Sequence, residues 1–237
     1  DHGFMVHGTL GCNSEWSYMV AVTNGDGGDS IRNVWDVRTD DNLAYSARLN
    51  WAFLKPTFYE ESALRQSTCE WYGEAGAWAH AYDNRLDGPH RTLYDGLVWG
   101  VDLALGYGGL SVTAAYTSAR FEDVSTTGGL DVDSKTLLLQ AGYLFPGTAW
   151  ELAARYSSVS YEPELGSEGS LVETAAVVNY YLNGHANKIS LDVTLLSQED
   201  AGVTLYYLYA DAYSGLRAPV DVEAEDMLVR FQWQLAL

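Results

Sequence analysis

Residues 186 to 198 repeat with a strict period of two. Ile189, Leu191, Val193 and Leu195 hold the odd positions, and Lys188, Ser190, Asp192 and Thr194 the even ones. Successive side chains of a β-strand point to opposite faces, so the segment reads as a strand with one oily and one wet side. Residues 148 to 161 do the same, with Trp150, Leu152, Ala154 and Tyr156 set against Glu151, Ala153, Arg155 and Ser157. In residues 94 to 107, Leu97, Trp99, Val101, Leu103, Leu105 and Tyr107 oppose Gly96, Gly100, Asp102, Ala104 and Gly106. The closing segment sets Met227, Val229, Phe231, Trp233, Leu235 and Leu237 against Arg230, Gln232, Gln234 and Ala236.

The whole chain reads as strands near 3–11, 14–24, 42–55, 70–82, 94–107, 109–120, 134–146, 148–161, 170–183, 186–198 and 225–237, about eleven. The links at Tyr107–Gly109, Pro146–Gly147 and Asn183–Ala186 are tight. The others are longer and rich in Gly, Asp and Ser, as in NGDGGDSIRN, FEDVSTTGGLDVD and EPELGSEGS. Short turns on one rim and long loops on the other describe an up-and-down membrane barrel. The 56–69 connection is the exception, because by parity it falls on the short-turn rim yet is long.

Alternation alone does not say which face meets water, and a soluble β-sandwich or lipocalin-like barrel also alternates. Three features favour lipid on the oily side. Charges sit in mid-strand on the other face: Arg48, Asp102, Glu151, Arg155, Glu173, Lys188, Asp192 and Arg230. Aromatic residues gather at strand ends, as in Tyr143/Phe145, Tyr180/Tyr181 and Phe231/Trp233, where membrane interfaces collect them. The strands exceed the 5 or 6 residues usual in soluble sheets and suit a tilted crossing of the bilayer. The expected fold is therefore all-β: a transmembrane up-and-down antiparallel β-barrel, one domain over residues 1–237.

Composition narrows the function. The 237 residues carry 13 Lys+Arg against 32 Asp+Glu, a formal charge of −19, and the three lysines are scattered. Such a chain does not grip phosphate backbones, so nucleic acid is not a partner. Eight Trp, 17 Tyr and 6 Phe exclude a disordered acidic chain. No apolar run is long enough for a membrane helix, which leaves strands as the way across. Any signal peptide has been removed or lies upstream of Asp1.

The segments LQAGYLFPGTAWELAARYSSVSY (139–161) and VNYYLNGHANKISLD (178–192) resemble the phosphate-selective porin O/P family. MVHGTL followed by VAVTNGDG, the acidic YEESALR and the final LVRFQWQLAL are similar to further elements of that family, in its order. The resemblance implies a bacterial outer-membrane barrel of sixteen strands, with both ends in the periplasm, assembled as homotrimers. Eleven strands would then be about the C-terminal two-thirds of a longer porin, with five upstream crossings of about 150 residues missing before Asp1. The rival is a self-contained twelve-strand barrel using residues 203–212, VTLYYLYADA; strand parity opposes it.

A narrow pore focuses the field of its lining groups, so the eight mid-strand charges are the candidate pore-lining residues. Arg48, Arg155, Lys188 and Arg230 would attract anions; Asp102, Glu151, Glu173 and Asp192 would attract cations. The alternative reading makes them cross-strand ion pairs that brace the wall. The resemblance implies anion selectivity through an arginine and lysine ladder and a constriction loop, which would lie upstream of Asp1. Scarce lysine and the net negative charge depart from that pattern, so a general or weakly cation-preferring pore competes with phosphate selectivity.

No cofactor is expected. Acidic loop residues, among them Asp26 and Asp29, offer a weak site for Ca²⁺ or Mg²⁺ bridging to lipopolysaccharide, with a solvated acidic rim as the plainer reading. NGDGGD lacks the downstream Glu of an EF-hand. Cys12 and Cys69 fall on the short-turn rim, either as a disulfide or as two free thiols. An enzyme is not expected: there is no G-x-S-x-G or HExxH, His185 is a turn residue of the NGHANK segment that carries the resemblance, and His80 and His90 have no evident Ser or Cys partner at a recognisable spacing, although a lipase triad assembled across strands would leave no sequence motif. The sequence thus reads as an outer-membrane porin passing small hydrophilic solutes or ions by passive diffusion, phosphate among them. Its partners are membrane lipid and lipopolysaccharide. The rival function is a barrel scaffold that docks envelope proteins.

Overall fold

A computed structural model of the chain describes residues 3–11, 15–23, 43–55, 70–83, 94–123, 131–163, 168–183, 186–199 and 224–235. These residues form eleven strands: β1 (Gly3–Leu10), β2 (Trp16–Thr23), β3 (Ala44–Ala52), β4 (Tyr72–Asp83), β5 (Tyr94–Tyr107), β6 (Leu110–Asp123), β7 (Val132–Leu144), β8 (Trp150–Pro163), β9 (Gly169–Asn183), β10 (Asn187–Glu199) and β11 (Ala224–Leu235). They make one sheet in strict chain order, β1 to β11, each strand antiparallel to the next. Among the described residues β1 and β11 each have one paired side, so both are sheet edges. The expected elements all occur, within a few residues of their expected limits. The largest extensions, in β6 and at the start of β7, come where backbone pairing continues (Arg120↔Asp133, Phe121↔Val132) after the oily alternation has given way to charge. Residues 203–212 lie outside the described residues.

Backbone chemistry fixes the tight turns. Tyr107 pairs with Leu110 across Gly108 and Gly109, whose φ angles of 52° and 96° are those of a type I′ hairpin, which twists as the flanking strands do. Gly109 is constrained twice, because a Cβ there would strike the carbonyl oxygen of Leu144 on the neighbouring strand. At the β7–β8 link, Pro146 and Gly147 (φ 73°) occupy the central positions of a type II turn. The Thr148 amide closes it on the Phe145 carbonyl at 3.1 Å, and Thr148 Oγ1 accepts from the Trp150 amide at 3.2 Å.

Burial is inverted relative to a water-soluble sheet. Leu97, Leu139 and Leu191, from the oily face, are 49%, 45% and 49% exposed, whereas Glu151 and Thr194, from the polar face, are each 2% exposed. Among the described residues the buried apolar side chains are Ala44 and Tyr181. Side chains crowd on the polar face and spread on the oily one, which is the signature of a sheet curled toward its polar side. Leaving a large apolar side chain in water forgoes about 1.5–3 kcal/mol, so the outer face of β3–β10 requires an apolar medium. Strands β4 to β11, at 12 to 15 residues, exceed the ~9–11 needed for a tilted crossing.

Candidate pore wall

The outward face is zoned along the strand axis. At the short-turn end it carries rings in pairs: Trp16 stacks on Trp51 (centroids 5.6 Å), Trp71 on Tyr107 (4.8 Å), and Trp150 packs against Tyr180 (4.6 Å). Tyr143 and Phe145 meet edge to face at 5.4 Å, and Trp233 Nε1 donates to Asn187 Oδ1 at 2.9 Å. Above this girdle comes a band mostly of Leu, Val and Ala, with the Trp99–Tyr116 ring pair (centroids 5.7 Å) toward its long-loop side. At the long-loop end the same face turns ionic, with Arg120 paired to Glu122 at 2.9 Å and Lys135 to Glu162 at 2.7 Å. Rings at an interface, aliphatics between and ion pairs beyond follow the polarity gradient of a membrane edge.

All eight charged residues singled out from the sequence lie on the inward face, and six of them join in three pairs. Arg230 Nε on β11 donates to Asp192 on β10, its register partner, at 2.9 and 3.2 Å. Arg155 on β8 donates from Nε to Glu173 Oε1 on β9 at 2.9 Å, and its Nη2 reaches the same oxygen. Arg48 Nη2 on β3 donates to Asp102 Oδ1 on β5 at 2.8 Å, skipping a strand. Gly76 on β4 makes that reach possible. It stands in register between Asn50 and Asp102, and a Cβ there would lie 2.5 Å from Arg48 Nη2 and 2.6 Å from Asp102 Oδ1.

The other two differ from each other. Glu151 is buried: Tyr181 donates its hydroxyl to Oε2, and Oε1 leans over Gly142, where a Cβ would meet it at 2.8 Å. Beside it Ser190 donates to Asn179 Oδ1 at 2.6 Å. Lys188, between Tyr181 and Gln234 in register, has no ion-pair partner among the described residues. Sequence reading missed the supporting cast of Gly76, Gly142, Tyr181, Asn179 and Ser190, and also the inward carboxylates Glu74 and Asp226. Same-face parity places the two carboxylates inward, and a glycine flanked in register by polar residues marks where a long side chain can cross. Tyr180 and Tyr181, grouped in the sequence reading as one interface pair, part company: Tyr180 joins the outer girdle and Tyr181 turns inward.

Paired charges act as short dipoles and project little net field from the inward face. Counting the described inward groups, Arg48, Arg155, Lys188 and Arg230 face Glu74, Asp102, Glu151, Glu173, Asp192 and Asp226. The balance is slightly negative. Among the described residues no group of three or more His, Cys, Asp or Glu is placed to hold a metal. Asp26, Asp29, Cys12, Cys69, His90 and His185 lie outside the described residues. His80 faces inward, with Nδ1 2.8 Å from Ser46 Oγ.

The family model described as phosphate-selective porin O and P matches residues 4–212. The chain belongs to that family. Membership agrees with the resemblance carried by QAGY, ELAARYS and NYYLNGH, and places this porin-family chain in the bacterial outer membrane. No curated protein matches its sequence. Among solved structures it is similar to OmpT of Vibrio cholerae, an outer membrane protein described in a trimer form, at 12% identity and a TM-score of 0.49, covering 91% of this chain and 62% of that one. A loop L8 deletion mutant of the same protein aligns at 12% identity and a TM-score of 0.45, over 77% of this chain and 57% of that one. The chain thus spans less than two-thirds of the length of these two proteins.

Proposed function

We propose that this porin-family chain walls a permanently open, water-filled channel through which small hydrophilic solutes diffuse passively, with little preference for ion sign. The observation that carries the reading is the charge pairing on the inward face, set in a sheet whose oily side is outermost. A wall with polar groups turned to its concave side needs water there, and Arg48–Asp102, Arg155–Glu173 and Arg230–Asp192 remove most of the net field an ion would feel. Phosphate selectivity, which the family's description names, would have to come from groups other than these pairs. A closed lumen needs further strands to pair β1 and β11, and the same proposal takes them from the upstream part of a longer porin. The outer band would contact lipid and the ionic rim lipopolysaccharide, in a homotrimer.

The test is planar-bilayer recording of the protein. Steady single-channel current with a reversal potential near zero, or slightly toward cations, in a tenfold KCl gradient is the expected result. A strongly anion-selective reversal would overturn the charge-balanced wall. Absence of current would turn the reading toward a docking scaffold.

A further inference from the structure

Trp78 stands out from the other described tryptophans. Trp16, Trp51, Trp71, Trp99, Trp150 and Trp233 belong to the outward face, where an apolar ring is expected. Trp78 lies on the inward face of β4 between Gly76 and His80, in register with Arg48 on one side and Gly100 on the other. A Cβ at residue 100 would stand 2.9 Å from both Cε2 and Cζ2 of the indole and 2.8 Å from the Tyr116 carbonyl oxygen, so the ring leans across the β4–β5 seam into the space of the missing side chain. Tyr72 repeats the device over Gly106. Glycine covered by an aromatic ring also stabilises a strand, and the side of the ring turned away from the strand stays available to a ligand.

We propose that Trp78 and the Arg48–Asp102 pair form a binding platform for the ring of a neutral carbohydrate in the lumen. The inference rests on the inward face being wet. An indole leaning across the seam offers a polarisable face to the C–H face of a sugar ring. Asp102 is the next inward position along β5 from Gly100, about 7 Å away, which is the scale of one pyranose with its hydroxyls. There the carboxylate accepts and the guanidinium donates, both held by their 2.8 Å contact over Gly76, and Ser46 and His80 close the other end. The ligand is neutral because the charges beside the ring cancel: an aromatic or phosphorylated anion would need an uncompensated cation, and Arg48 already has its carboxylate. A soluble polyol without an apolar face would gain nothing from the indole.

The probe is maltohexaose, titrated into the detergent-solubilised protein while intrinsic tryptophan fluorescence is followed, with sodium phosphate and benzoate as parallel arms. A saturable change with maltohexaose, weakened at least tenfold in Trp78→Ala, is expected. Gly100→Ala keeps the indole but sets a methyl group against it and against the Tyr116 carbonyl oxygen, and should weaken the sugar response severalfold in protein shown to be folded by heat-shift electrophoresis. No saturable response, an undiminished response in Trp78→Ala, or tighter binding of benzoate or phosphate at that residue would overturn the platform. Bilayer current is read separately. Sugar binding without conductance would leave the platform and remove the channel, and conductance without sugar binding would do the reverse.

Discussion

The two faces of β4–β9 are built from the same strands and obey opposite rules. Outside, neighbouring Leu, Val and Ala make few specific contacts, and what they require is only that the medium be apolar. Inside, side chains as long as Arg48 and as broad as Trp78 each depend on a glycine in register with, or beside, their partner. The outer face tolerates changes of shape and rejects charge; the inner face tolerates charge and rejects changes of shape.

The largest break in that contrast comes from moving a charge. Leu139 sits mid-strand on the outer face of β7, and Leu139→Arg should cost about 2–4 kcal/mol of folding stability in lipid, measured by denaturant titration in vesicles. Gln232→Arg, on the inner face of β11 and close in length to the side chain it replaces, should cost under about 1 kcal/mol in the same assay. Equal losses at the two sites would mean that both faces meet the same medium.

A change of shape should act the other way round. Gly76→Val would force apart Arg48 and Asp102 and is expected to cost about 1–3 kcal/mol. Ala141→Val, which adds the same kind of branched side chain outside on β7, should be close to neutral. The smallest effect belongs to the inner pair of Arg155 and Glu173. These groups are partly exposed, and a double-mutant cycle with Arg155→Gln and Glu173→Gln should give a coupling of about 0.2–1 kcal/mol.

The faces were legible in the sequence because a period of two survives any error in strand ends: Leu97 and Leu191 went outward, and Asp102 and Asp192 inward, whatever the limits of β5 and β10. The limits drifted at Arg120 and Val132, where the oily signal fades while hydrogen bonding continues. The Arg48–Asp102 contact was not legible, since it depends on the joint register of three strands and on a glycine whose importance is a vacancy. Burial of Glu151 was equally hidden, because its partner Tyr181 reads in the sequence as part of an aromatic doublet. Trp78 sits between Ala77 and Ala79, and the glycine it covers, Gly100, is 22 residues away in the chain and adjacent only through the β4–β5 register.

The ionic rim formed by Arg120–Glu122 and Lys135–Glu162 has a mechanical consequence. For the wall to slip back toward its short-turn side, these groups would have to enter hydrocarbon, at about 2–4 kcal/mol for each Arg or Lys near the midplane. Insertion therefore ends against a stop, as a rivet does once its head has formed, and the girdle of rings at the far end sets the grip length.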